Sequence, residues 1–302
     1  MRSFFLHIVL GFIGFTCFSQ SGINTFLQPS DTLNVPRRNA VIISETLLAS
    51  ASLLALNKLW YADYPRSKFH TLDDNSQWMQ MDKMGHVFSA YQLGRVGADI
   101  LNWSGVSEKN QLIYGGTLGF TFLTAVEVLD GFSEEWGFSW GDMAANAMGT
   151  SLYIGQELLW KEQRVTLKYS FHRTQYASQR PDKLGDGFSE EFLKDYNGQT
   201  YWLSANLHSF FKDSNIPTWI NVAFGYGADG MLTGSYDGAN NVFSNQNRVR
   251  QYYLSLDVDL TRIKTNSPVL KTVFSIFNTL KVPFPAMEFN EENGIRFHGI
   301  YF

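Results

Sequence analysis

The sequence predicts an α+β protein, a helical bundle of about four helices followed by a β-rich antiparallel sheet or barrel-like region. Three observations predict it. Up to about residue 163, apolar residues fall in long runs that are low in charge and rich in Gly, Ala, Ser and Thr. From residue 164 apolar and polar residues alternate with a period of two, the mark of strands with one apolar face. Aromatic residues make up 16% of the 302 residues against 17% charged, a share that favours β-structure, a membrane interface or both.

The first segment, residues 1–20, reads as a secretory signal peptide. A positive start at Arg2 is followed by an apolar run over 4–18 and then by small or polar residues. That run is shorter than the roughly 20 residues a spanning helix needs. Cys17, the single cysteine, follows "GFT", a poor lipoprotein box, so cleavage near Gln20 leaves no thiol chemistry. Export places the chain in the periplasm or outer membrane. The net charge of −4 argues against a nucleic-acid partner. The expected partner is a membrane or lipid surface.

Residues 21–37 read as a polar linker and 38–163 as the bundle. Its helices are expected over 40–60 and 76–103, and then opening at Ser107 and Ser139, which can cap them. The small residues suit closely approaching helix backbones, as in membrane bundles. The uncharged runs are short for a span, which predicts a compact bundle, buried or lying against a bilayer.

Residues 164–302 form the β-rich part. "RVTLKYSFH" sets Val165, Leu167, Tyr169 and Phe171 against Thr166, Lys168, Ser170 and His172. "RQYYLSLDVDLTRI" sets Tyr252, Leu254, Leu256, Val258 and Leu260 against Ser255, Asp257 and Asp259. Six strands are expected, ending in the aromatic "GIRFHGIYF", with a helix over 267–283 interrupting them. Apolar-outward, polar-inward strands with aromatic ends describe an outer-membrane barrel, which usually has at least eight strands. A soluble sheet packed on helices gives the same alternation. His172, His208 and His298 are read as solvated residues on strand faces, and "GYGADG" lacks the following helix of a phosphate loop.

The bundle carries polar groups where an apolar surface is expected. Asp82, His86 and Ser89 share one helix face, and Asp142, Asn146 and Gly149 repeat that spacing. Glu127 and Asp130 close a third apolar run. Buried carboxylates are paired, protonated or coordinated. One reading is a structural network in which Lys83 neutralises a carboxylate and His86 bonds to Glu127 or Asp142. A second is a divalent-metal site of Asp82, His86, Glu127 and Asp142. A third is a pocket for a polar head group or glycan, with His86 as general base beside Asp82, Glu127 and Asp142, and Lys83, Asp130 and Asn146 binding the ligand. "DGFSEEWGFSWGD", residues 130–142, is a lid or a capped loop. The sequence leaves the cofactor unknown.

"MDKMGHVFSAY", "LTAVEVLDGF" and "GDMAANAMGT", in that order, resemble the VanZ-like group of small four-helix membrane proteins. They resemble more closely a bacterial family of predicted periplasmic lipoproteins, domain of unknown function 2279, of the YfiM type. The matched residues are Asp82, Lys83, His86, Tyr91, Glu127, Asp142, Asn146 and Gly149, within about 78–160. The resemblance implies an envelope protein and no particular reaction. This sequence departs from the family in having only a poor lipoprotein box and in its long β-rich second half. Tyr91 falls on the far side of its helix from Asp82 and His86. The function expected is that of an exported, outer-membrane-associated protein with a structural or lipid-contacting role. The alternative is an envelope enzyme or metal-binding protein acting on lipid or glycan.

Overall fold

A computed structural model describes residues 20–61, 64–235 and 247–302. All of the expected signal peptide except Gln20, and Cys17 with it, lies outside the described residues. A short helix, α1 (Gln20–Leu27), stands within the expected linker. Helix α2 (Val35–Leu56) starts earlier than the apolar pattern suggests, because Asn34 caps it by accepting from Arg37 N, and a proline stands in its first turn. It runs on into a π-helical turn, Asn57–Tyr61. Only Val41 of α2 is buried, whereas Leu47, Leu48 and Leu54 are 65–71% exposed.

Helix α3 (Met81–Trp103) is shorter than expected at its start. Residues 78–80 hold positive φ angles of 48°, 50° and 64°, so Gln77–Gln80 forms a separate turn. The third helical stretch is also broken, into a short piece from Glu108 to Gly115 and α4 (Leu118–Asp130). Helix α5 (Trp140–Trp160) begins as expected, with Ser139 Oγ accepting from Asp142 N at 3.1 Å. α3 packs against α4 and α5. Their closeness depends on glycine: a Cβ at Gly149 of α5 would collide with the Val87 carbonyl oxygen of α3.

Among the described residues six antiparallel strands follow: β1 (Val165–Phe171), β2 (Gln199–Asn206), β3 (Ile220–Asp229), β4 (Val249–Val258), β5 (Phe284–Asn290) and β6 (Gly294–Tyr301). They pair in sequence order. A helix, α6 (Phe188–Lys194), lies between β1 and β2, and α7 (Pro268–Phe277) lies between β4 and β5. Residues 279–281 meet the outer edge of β1, with Tyr169 N donating to Thr279 O and Lys281 N to Tyr169 O, both at 2.9 Å. The sheet therefore curls, and Tyr301 of β6 reaches Thr200 of β2 across its interior at 3.0 Å.

The sheet is inverted, with its polar face inward and its apolar face outward. Inside lie Lys168, Trp202, Asn221, Asp257 and Glu288, each at most 2% exposed. The Lys168 ammonium meets Asp257 Oδ2 at 2.8 Å. Outside, one cross-strand row reads Leu167, Leu203, Phe224, Leu254, Met287 and Phe297. A second row reads Tyr169, Tyr201, Tyr226, Tyr252, Phe289 and Ile295. α3 covers this face at β1 and β2, where Met81 joins Tyr169, Phe171 and Tyr201 in one core cluster. On the outer strands Phe224, Tyr252, Ile295 and Phe297 are 52–73% exposed.

The histidines of this half differ from expectation. His208 lies on a short helical turn, Leu207–Phe210, and His172 just past the end of β1. His298 does lie on β6, but its Nε2 is 2.6 Å from the buried Glu288 carboxylate rather than solvated.

Candidate functional site

The polar residues of the bundle converge because three helix ends meet. Asp82 lies in the first turn of α3 and Asp142 in that of α5, where the helix dipole favours a negative charge. Glu127 and Asp130 lie in the last turn of α4, where it does not. His86, one turn beyond Asp82, sits between them. Its Nδ1 donates to Asn146 Oδ1 at 2.9 Å, an oxygen that can only accept. Its Nε2 points to Glu127 Oε1 at 3.6 Å and Asp142 Oδ1 at 3.9 Å.

Lys83 is the counter-charge. Its ammonium lies 2.6 Å from Asp74 Oδ2, 3.0 Å from Asp142 Oδ1 and 3.7 Å from Asp82 Oδ2. Ser139 ties the carboxylates to the backbone: its N donates to Glu127 Oε2 at 3.0 Å and its Oγ to Asp74 Oδ1 at 2.6 Å. The Tyr196 hydroxyl donates to Asp82 Oδ1 at 2.6 Å, bringing a residue from the β-rich half to the cluster. Asp130 stands apart, bonded to the Tyr61 hydroxyl at 2.5 Å.

The charge balance is acidic, and proton affinities reflect it. Burial pushes Glu127 up to about 8 against the opposing pull of His86. Burial also lifts Asp130 to about 7 and Asp142 to about 6. For His86 burial works the other way, but Asp82, Asp142 and Glu127 outweigh it and raise its pKa. Burial likewise opposes the charge on Lys83, and its carboxylate neighbours prevail. Asp74 is held below its ordinary range, since its bonds to Lys83 and Ser139 overcome its burial.

The cluster opens onto a cavity of about 540 Å³. Aromatic rings form its walls: Trp136 packs edge-on to Tyr61 and Tyr64, and Trp78 lies 5.2 Å from Tyr196. Arg180, Lys183 and Lys194 also line it. Residues 130–142 form part of the wall as a pinned loop, because Ser133 pairs with Arg66 and Phe138 with Thr71.

Asp82, Lys83, His86, Glu127, Asp142 and Asn146 are thus together, and Asp130 lines the same cavity. Tyr91 faces away, with its hydroxyl on Gln163 at 3.0 Å. Sequence reasoning missed Asp74, Tyr61, Ser139 as a bridging residue, and Tyr196. The Asp73–Asp74 pair ahead of α3 carries a local signal for the first. Tyr196 carries none, since it is 114 residues from its partner.

No curated protein and no solved structure matches the chain. A family match covers residues 71–155, which include α3, α4, most of α5 and every carboxylate of the cluster. It does not extend to Tyr61, Tyr196 or the sheet. Over residues 71–155 the chain is similar to the family described as predicted periplasmic lipoprotein (DUF2279).

Proposed function

We propose that the chain is an outer-membrane-associated envelope protein that presents the outer face of its curled sheet to lipid. The family match supports an exported protein of the cell envelope. The observation that carries the finer reading is the inverted sheet. Ionic and amide side chains fill its interior, while Phe224, Tyr252, Leu256, Ile295 and Phe297 stand 47–73% exposed on its exterior. A water-facing antiparallel sheet has the opposite arrangement. An outer-membrane sheet has this one, with aromatic rows flanking the apolar band. Exposed apolar surface on this scale marks a membrane or partner interface.

Helix α2 adds to it. Val35–Leu56 and Glu108–Asp130 are long and apolar enough to cross a membrane by length and composition, and α2 keeps most of its apolar side chains exposed. The reading assigns a lipid-contacting role and no pore, because Trp202, Tyr253 and Tyr301 fill the interior.

Membrane fractionation of the native chain tests this. Retention in the outer-membrane pellet through high salt and alkaline carbonate is the expected result. Release into the supernatant by either treatment would refute it.

A further inference from the structure

The donor atoms of the cluster fit a cation. We propose that Asp82, His86 Nε2 and Asp142 form a binding site for one divalent first-row transition-metal ion, with Glu127 as a fourth carboxylate beside it. This does not depend on the lipid-facing reading, since every residue involved lies in the helical half.

Four observations carry it. One donor atom from each of Asp82, His86 and Asp142 lies within 4.8 Å of the others. The gaps from His86 Nε2 to Glu127 and Asp142, 3.6 and 3.9 Å, are too long for hydrogen bonds. They lie close to the roughly 3.4 Å between neighbouring donors of a tetrahedral ion with bonds of about 2.1 Å.

Asp142 Oδ1 supplies the second observation. Its side chain is 4% exposed and lines the cavity, and while Lys83 Nζ donates to the other oxygen, Oδ2, at 3.1 Å, no aligned hydrogen bond reaches Oδ1. Its ionic neighbours are Lys83 Nζ at 3.0 Å and His86 Nε2 at 3.9 Å. The third is the orientation of His86. Asn146 Oδ1 engages Nδ1–H, which leaves Nε2 as the free donor facing the carboxylates, and ligating histidines are held in this way from behind.

The fourth is charge. Asp74, Asp82 and Asp142 set three carboxylates around one ammonium, an excess of two negative charges that one divalent ion balances. Lys83 has a place to stay, because its shortest contact is to Asp74, outside the proposed donor set. One imidazole with carboxylates favours an ion from manganese to zinc over magnesium or calcium, which take oxygen ligands.

Equilibrium dialysis of the purified full chain against Mn²⁺ or Zn²⁺, read by elemental analysis, tests the assignment. Retention of one ion per chain is expected, with Mg²⁺ a poor competitor. His86→Gln and Asp82→Asn each weaken retention by about tenfold or more, while the melting temperature of the metal-free chain stays near that of the wild type. Asp82 is 28% exposed, so its variant folds even where a change at the buried Asp142 does not. No retained ion in the wild type, unchanged binding in both variants, or equal competition by Mg²⁺ would overturn it. Carbonate extraction of the same variants reads membrane association separately, so either conclusion can fail alone.

Discussion

Asp130 shows how one residue in this cavity sets a dependence on pH. Burial raises its carboxyl from an ordinary 3.8 to about 7, and the hydrogen bond from Tyr61 offsets only part of that. Between those two values the folded chain holds a proton that the unfolded chain has released. Its contribution to stability is therefore complete below pH 3.8 and is lost as the pH rises through about 7. Asp130→Asn keeps a side-chain oxygen for the Tyr61 hydroxyl but cannot ionise. In metal-free protein the variant is expected to be more stable than the wild type at pH 8 by about 1–3 kcal/mol. The gap should narrow as the pH falls from 7 to 4. Denaturant melts at both ends of that range measure it, and a gap independent of pH would show that ionised Asp130 costs the fold nothing.

At the level of elements, the glycines of α5 divide into two kinds. Gly149 lets α3 and α5 touch backbone to backbone, since a Cβ there would strike Val87 O. Gly155, on the same helix, has nothing within 4 Å of such a Cβ. Gly149→Ala is expected to destabilise by about 1–3 kcal/mol through overpacking. Gly155→Ala is expected to stabilise by about 0.5–1 kcal/mol through helix propensity. Thermal melts of the pair check both signs. The pattern of elements was largely legible beforehand. Six strands, the late helix and the Ser139 cap follow from period and turn residues, which are local properties. The break before α3 was not, because positive φ at Trp78, Met79 and Gln80 has no signature in residues that seldom adopt it. In the cluster, Asp82 with His86 and Asp142 with Asn146 were legible from four-residue spacing. Tyr196 was not, because only the folding of β2 and α6 onto the bundle brings it to Asp82.

Over the whole molecule, the inverted sheet is what supports the proposed lipid-facing exterior. The alternation of β3 to β6 is compatible with either a bilayer or water outside, and the sequence alone supports both. The helices' position bears on the choice: α3 covers the apolar face at β1 and β2, leaving that of the outer strands bare. Meanwhile Lys168, Asp257, Lys281 and Glu288 are withdrawn from solvent on the inner face. Burying ionic groups is costly and leaving aromatics in water gains nothing, so this partition favours the proposed apolar exterior. Ile295→Lys and Phe297→Lys probe that exterior at 71% and 73% exposed positions. In water, changes at such sites rarely move stability beyond about 0.5 kcal/mol. On a lipid-facing strand a lysine costs about 2–4 kcal/mol at mid-bilayer and less towards the interface. The double variant is therefore expected to fold poorly into vesicles and to leave the carbonate-resistant fraction, whereas Glu291→Lys in the β5–β6 turn should not. If the double variant instead partitioned and melted like the wild type, the outer face of the sheet would not be in lipid, and a protein partner would have to cover it.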